Sequence, residues 1–155
     1  MRVGHGFDAH RLGGDPPVVL GGVVVDEARG AVATSDGDVA LHALTDALLG
    51  AGALGDLGTH FPSTDPRWEN ASSLDLLARA VDLVAAAGFS VVNVDVTIVA
   101  ESIRVAPHRE AMRSAIAGVL GVDVDAVSVK ATTTDGLGFL GRDEGIAALA
   151  TATLD

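Results

Sequence analysis

The types and spacing of a few residues could support chemistry. In the stretch "RVGHGFDAHRL" (residues 2–12), Asp8 and His10 lie two positions apart. In an extended strand, residues i and i+2 face the same side, so this carboxylate and imidazole would converge on one point. A metal ion fits there, and so does a plain Asp–His hydrogen bond. The chain holds five histidines: His5, His10, His42, His60 and His108. His42 falls in a helical pattern, with Asp46 four residues later on the same face. Catalytic zinc sites use three His or carboxylate ligands and leave one position open. Asp8, His10 and His42 would supply three. From spacing alone a polar surface pair and a buried, carbonyl-bonded His42 are the simpler reading, because D-x-H recurs by chance.

A second group is "KATTTD" (130–135), a strand end with three threonines and an aspartate. Hydroxyls and backbone N–H groups suit phosphate oxygens, and one carboxylate plus substrate phosphates suits Mg²⁺. Threonines that simply favour a strand, with Asp135 opening a turn at Gly136, explain the stretch equally well. "GLGFLG" (136–141) matches G-x-G-x-x-G, but a dinucleotide site needs a following helix, a further strand and a later acidic residue, and the chain ends first. "SDGD" (35–38) lacks the later ligands of a calcium loop. Arg142 suits a phosphate, or an ion pair with Asp143 or Glu144.

Composition narrows the partners. A net charge of −11 argues against nucleic acid, so an anionic substrate needs local positive charge from metals, arginines and helix N-termini. With no cysteine, disulfides and thiolate metal sites are excluded, and a cytoplasmic location fits. The first dozen residues hold no long apolar run, so no signal peptide is expected. No stretch has about twenty uncharged apolar residues, so no membrane helix is expected. The chain is 48% hydrophobic and 20% charged, and this points to one face buried in an oligomer.

Several elements must position these groups. "VVLGGVVV" (18–25) reads as two short strands broken by Gly-Gly. A helix is expected over 38–52, capped by Ser35 or Asp36. Residues 55–72 are too polar and Pro-rich for an element and read as a long, functional loop. A helix follows over 72–88, with a Ser cap and Gly88 at its end. A strand spans 89–100. A helix has Pro107 at its start and Gly121 at its end. Strands cover 126–134 and 144–154, though the last segment's alanines would also suit a helix. The order is βββααβαββ in one domain, residues 1–155: an α+β fold, with an antiparallel or mixed sheet and helices on one face.

Taken together, "RVGHGFDAHRL", "SDGDVALHALTDALLGAGALGDLGTHFPSTDPRW", "NVDVTIVAE" and "VKATTTDGLGFLGRDEGIA" resemble the 2-C-methyl-D-erythritol 2,4-cyclodiphosphate synthase family of the non-mevalonate isoprenoid pathway. The resemblance covers almost the whole chain. The combination of D-x-H, S-D-G-D-x-x-x-H, F-P-x-T-D-P and A-T-T-T is specific where each motif alone is weak.

The resemblance implies a ferredoxin-like two-layer α/β sandwich, assembled as a homotrimer with active sites between subunits. The implied reaction turns 4-diphosphocytidyl-2-C-methyl-D-erythritol 2-phosphate into the cyclic diphosphate and CMP. Asp8, His10 and His42 match zinc (or manganese) ligands. Asp135 stands where the family often has Glu, holding Mg²⁺ or Mn²⁺ across the substrate diphosphate. Thr34 and Thr133 match catalytic positions, Thr34 with Ser35 at the substrate phosphate. Asp56, Leu57 and Gly58 match the erythritol-binding segment. Phe61, Pro62, Ser63, Thr64 and Asp65 match a flexible loop over it. Ala100, Arg104, Val105, Ala106, Thr132 and Thr134 match the cytidine diphosphate pocket. Phe139 and Arg142 match positions near the substrate and a central apolar channel, where an isoprenoid diphosphate is a further expected ligand. Two departures stand out. Thr34 replaces a frequent His and keeps a hydroxyl but no positive charge. Arg104 replaces a frequent Lys and keeps both charge and phosphate binding. Two other readings compete: a metal-dependent hydrolase with Asp46 or Asp38 as general base, and a catalytically impaired trimer that binds isoprenoid diphosphates in its channel.

Overall fold

The computed structural model describes residues 1–155. Strand β1 (Arg2–Gly14) is followed by β2 (Val18–Leu20), β3 (Val23–Asp26) and β4 (Gly30–Ala31). Helices α1 (Val39–Gly52), α2 (Leu57–His60) and α3 (Ser73–Ala86) come next. The chain ends with β5 (Val91–Val99), α4 (Arg109–Leu120), β6 (Val127–Thr132), α5 (Gly138–Gly141) and β7 (Gly145–Leu154). Five strands form one mixed sheet in the order β4-β1-β7-β5-β6, while β2 and β3 make a separate hairpin. Only β5 and β6 run parallel. Parallel neighbours need a crossover, and α4 supplies it.

Helix α1 lies on β1, β7 and β5, with α3 behind it; α4 lies on β6 and also touches α3. Twelve of the fourteen residues of α1 are buried, as a helix packed between sheet and helix requires. Its approach to the sheet is set by glycine. A Cβ on Gly4 would lie 1.9 Å from the Ala47 carbonyl oxygen, and one on Gly6 would lie 1.9 Å from that of Ala43. With Ala43, Ala47 and Ala51 opposite, α1 sits almost on the backbone of β1. This contact holds His42 over Asp8.

The expected segments 18–25, 38–52, 72–88, 89–100 and 126–134 form as read, with ends shifted by a few residues. The helix expected to open at Pro107 begins with a 3-10 turn (Ala106–His108) before α4, which ends at Gly121 with φ 67°. Three expectations need correction. The cap of α1 is Asp38, not Ser35 or Asp36: its carboxylate accepts from Leu41 N (3.1 Å), Gly21 N (2.9 Å) and Gly22 N (2.7 Å). Asp36 instead caps α3 from outside, accepting from Ser73 N at 2.8 Å. Segment 55–72 is not wholly irregular, because Asp56 and Asp65 cap α2 and a 3-10 turn (Pro66–Trp68). Four strands, not three, precede α1, because β4 pairs with the end of β1. The alanine-rich segment 145–154 is a strand, fixed by pairing with β1 on one side and β5 on the other.

On the sheet face opposite α1, only the Gly145 end is covered, by Phe139 of α5. Val3 (64% exposed) and Phe7 (57%) project on that face from β1, with Leu149 (36%) directly opposite Phe7 on β7. No helix is long and apolar enough to cross a membrane.

Candidate active site

Asp8 and His10 extend from β1 on the helix-covered face and meet His42 from the first turn of α1. One ligand atom from each of the three lies within 4.8 Å of the others. Asp8 Oδ2 is 3.0 Å from His42 Nδ1 and 3.5 Å from His10 Nε2. Ligands about 2.1 Å from a tetrahedral ion stand about 3.4 Å apart, so the spacing suits one metal.

Proton bookkeeping supports the same conclusion. The Ser73 hydroxyl has one proton and donates it to the Asp36 carboxylate. Ser73 Oγ must therefore accept from His42 Nε2, 2.9 Å away. Ser35 Oγ lies 3.1 Å from the same nitrogen. With Nε2 protonated, a neutral His42 turns its Nδ1 lone pair toward the Asp8 carboxylate. Two acceptors at that distance repel unless a cation joins them. His10 donates from Nδ1 to the Ala9 carbonyl at 3.0 Å, which leaves its buried Nε2 free and without a partner. The donor set fits a zinc-type ion, with Ser73 and Asp36 orienting one ligand from behind.

Charge states agree. Burial pushes the Asp8 carboxyl up, but the His42 hydrogen bond and the charges of His10 and His42 outweigh it and hold the group below its ordinary value. Burial pushes His42 down, but the Asp8 bond and the charges of Asp8, Asp38 and Asp36 raise it overall. Burial lowers His10, only partly offset by Asp8. Without metal, the Asp8 carboxylate favours a proton on His42.

A cavity of about 380 Å³ opens beside the triad. Of the expected residues, Thr34, Ser35, Asp56, Leu57, Gly58, Phe61 and Ser63 line it. Thr64 and Asp65 line an adjoining hollow with Thr34 and Ser63. Pro62 turns the loop, its carbonyl accepting from Asp65 N at 3.0 Å. Sequence reasoning missed Trp68 and Leu76 in the wall, and Ser73 behind His42. Asp46 was expected on the His42 face of the helix, with a general-base role in one alternative reading. Asp46 lines the cavity and accepts from Leu57 N at 2.7 Å, so it holds α2 in place. Burial, against the Leu57 bond and with the charges of Asp56 and Asp8, raises its carboxyl. The even spacing of His42 and Asp46 was a usable signal; nothing local marked Ser73.

The remaining expected residues lie elsewhere. Asp8 pairs with Ala148, Ala148 with Ile98, and Ile98 with Ala131. Three strand spacings, about 14 Å, therefore separate the triad from β6. Thr132 lies on the opposite face from Asp8, one residue on. Thr133, Thr134 and Asp135 follow in an exposed turn, where Asp135 has φ 52° and the Thr133 hydroxyl donates to its carboxylate at 3.3 Å. Ala100 donates to the Thr132 carbonyl at 3.1 Å, so Ala100, Arg104, Val105 and Ala106 begin beside this turn. Phe139 lines a separate hollow with His10 and Arg11, and Arg142 is paired with Glu144 at 2.9 Å. The residues expected to form one site thus form two clusters in a single chain.

A mixed-sheet α+β domain that holds an Asp–His–His metal set at the edge of a cleft, and hydroxyls with a carboxylate on the far strand end, defines a metal-dependent enzyme for a small anionic substrate. The YgbB family model matches residues 1–155. The chain belongs to that family. It is 59% identical, over 99% of its length and 98% of the relative's, to a 2-C-methyl-D-erythritol 2,4-cyclodiphosphate synthase of Pseudomonas aeruginosa. Among solved structures, a bifunctional IspDF from Campylobacter jejuni superposes with TM-score 0.96 at 45% identity; this chain covers 42% of that longer one. A 2C-methyl-D-erythritol-2,4-cyclodiphosphate synthase in a CDP-bound form superposes with TM-score 0.90 at 37% identity over its full length.

Proposed function

We propose that this chain converts 4-diphosphocytidyl-2-C-methyl-D-erythritol 2-phosphate into 2-C-methyl-D-erythritol 2,4-cyclodiphosphate and CMP. The observation that carries this is the Asp8–His10–His42 donor set in a chain 59% identical, end to end, to a synthase of that name. An oxygen of the substrate's 2-phosphate attacks the β-phosphorus, and the bond from that phosphorus to the CMP oxygen breaks. No protein nucleophile is required. Bringing two anionic groups of one molecule together is a task of positioning and charge compensation.

Asp8, His10 and His42 would hold Zn²⁺ or Mn²⁺, and Asp135 would hold a Mg²⁺ or Mn²⁺ ion. When bound, these cations supply Lewis-acid charge at phosphate oxygens. The chain's own residues do the rest. Thr34 and Ser35 donate hydroxyls to the attacking phosphate. Asp56, Leu57 and Gly58 hold the erythritol, and Phe61, Pro62, Ser63, Thr64 and Asp65 cover it and exclude water. Thr133 donates to the diphosphate as charge shifts to the leaving phosphate. Ala100, Val105, Ala106, Thr132 and Thr134 enclose the cytidine, with Arg104 on its phosphate. With Thr34 in place of His, the cleft has no cation at that point, so more of the charge compensation falls to the metals.

The chain is one ferredoxin-like domain, 1–155, acting in the cytoplasm as a homotrimer. Two features support the assembly: the site is split into clusters about 14 Å apart in one chain, and Val3, Phe7 and Leu149 stand exposed on the open sheet face. A neighbour's nucleotide cluster would complete each metal cleft. Phe139 and Arg142 would face the centre, where an isoprenoid diphosphate could bind. CMP release measured with Mg²⁺, before and after zinc is stripped and restored, tests the reading. Zinc-dependent CMP with cyclic product supports it. A folded, zinc-loaded trimer that releases none would overturn it in favour of an isoprenoid-diphosphate binder.

A further inference from the structure

Asp143 joins three separate segments of the chain. Its φ is 59°, in the left-handed region that favours glycine, in a turn where Gly136, Gly138, Gly141 and Gly145 surround it. Aspartate tolerates this conformation better than most side chains, and here the carboxylate is also engaged by two other segments. Its Oδ2 accepts from Ser102 Oγ at 2.6 Å and from Arg29 Nη1 at 3.0 Å. Arg29 Nη1 also donates to Ser102 Oγ at 2.7 Å, which closes a triangle, and Arg29 Nε is fixed by Asp26 at 2.7 Å. The three corners come from the β3–β4 turn, the loop after β5 and the turn before β7.

Loop 100–106 is otherwise tied only at its ends and by apolar burial. Ala100 N bonds to Thr132 O (3.1 Å), the Val105 carbonyl accepts from His108 N (2.9 Å), and Ile103 and Val105 are buried. Ser102 is its only side chain hydrogen-bonded to another segment. We propose that Asp143 is a positioning residue, which through Ser102 and Arg29 holds loop 100–106 in the shape that receives the cytidine diphosphate end of the substrate. This rests on the function proposed above.

Asp143→Gly removes the carboxylate while relaxing the backbone, and Asp143→Asn keeps an accepting oxygen in a residue that tolerates left-handed φ. With backbone relief offsetting the lost ion pair, the Tm of Asp143→Gly should stay within about 3 °C of wild type. Two readouts follow. Tryptic cleavage after Arg104, inside the loop, should speed up about tenfold, and KM for the cytidine diphosphate ester should rise about tenfold with kcat within about twofold. Asp143→Asn should restore most of both. Unchanged cleavage at Arg104, or a fall in kcat at constant KM, overturns the proposal. If wild type does not turn over the ester at all, the proposed function fails and the cleavage rate alone still decides whether Asp143 holds the loop.

Discussion

Ser73 gives the most direct test of how the metal centre is built. Its hydroxyl is the link between the Asp36 carboxylate and His42 Nε2. Ser73→Ala removes that acceptor from a fully buried position. Losing such an outer partner lowers metal affinity 10- to 100-fold in comparable sites, about 1.4 to 2.7 kcal/mol. Ser35 Oγ, 3.1 Å from the same nitrogen, still offers an acceptor. The single variant should therefore sit at the lower end, about tenfold weaker. Removing Ser35 as well leaves a buried N–H with no acceptor, and the double variant should approach the upper end, about 100-fold. Asp36 keeps its bond from Ser73 N, so α3 remains capped and the fold persists. Zinc affinity, read by competition with a chromophoric chelator at constant pH, decides the matter. Wild-type affinity in the double variant would refute the proton assignment and the choice of Nδ1 as ligand.

Gly6→Ala should destabilise the chain by about 3 kcal/mol, because a Cβ would overlap the Ala43 carbonyl and push α1 off β1; a thermal melt within a degree of wild type would contradict this. Asp135→Ala should cut CMP release steeply, and added Mg²⁺ should partly restore it; indifference to Mg²⁺ would remove Asp135 from that role. In the metal-stripped chain, His42 has a folded pKa raised above 6.5, so it contributes stability that is present below pH 6.5 and lost as pH rises through the folded value. Asp8, held below 3.8, contributes stability present above that pH and lost as the medium turns more acid than its folded value. The stability of the stripped chain against denaturant should accordingly fall above pH 6.5, and His42→Ala should abolish that slope while binding no zinc. A stripped chain whose stability rises across that range would refute the Asp8–His42 pairing.

The local pieces were legible in the order of residues alone. Alternation placed Asp8 and His10 on one face of a strand, helical spacing placed His42 and Asp46 together on α1, and Gly88 and Gly121 marked where helices end. These follow from periods of two and 3.6 residues and from the backbone freedom of glycine, which act within a few residues. Motif resemblance added the joint identity of Asp8, His10 and His42, which spacing alone left open. The rest came from packing between distant segments. Which carboxylate caps which helix changed, because Asp38 is drawn to Gly21 and Gly22 while Asp36 turns to Ser73. The roles of Ser73 and Asp143 depend on partners 31 to 114 residues away, and no local pattern records such pairings. The glycine contact that brings α1 down onto β1 is a meeting of two backbones, visible only once both elements are packed. The division of the expected site into two clusters is likewise a matter of strand order: β7, last in the chain, inserts between β1 and β5 and sets the width of the sheet between them.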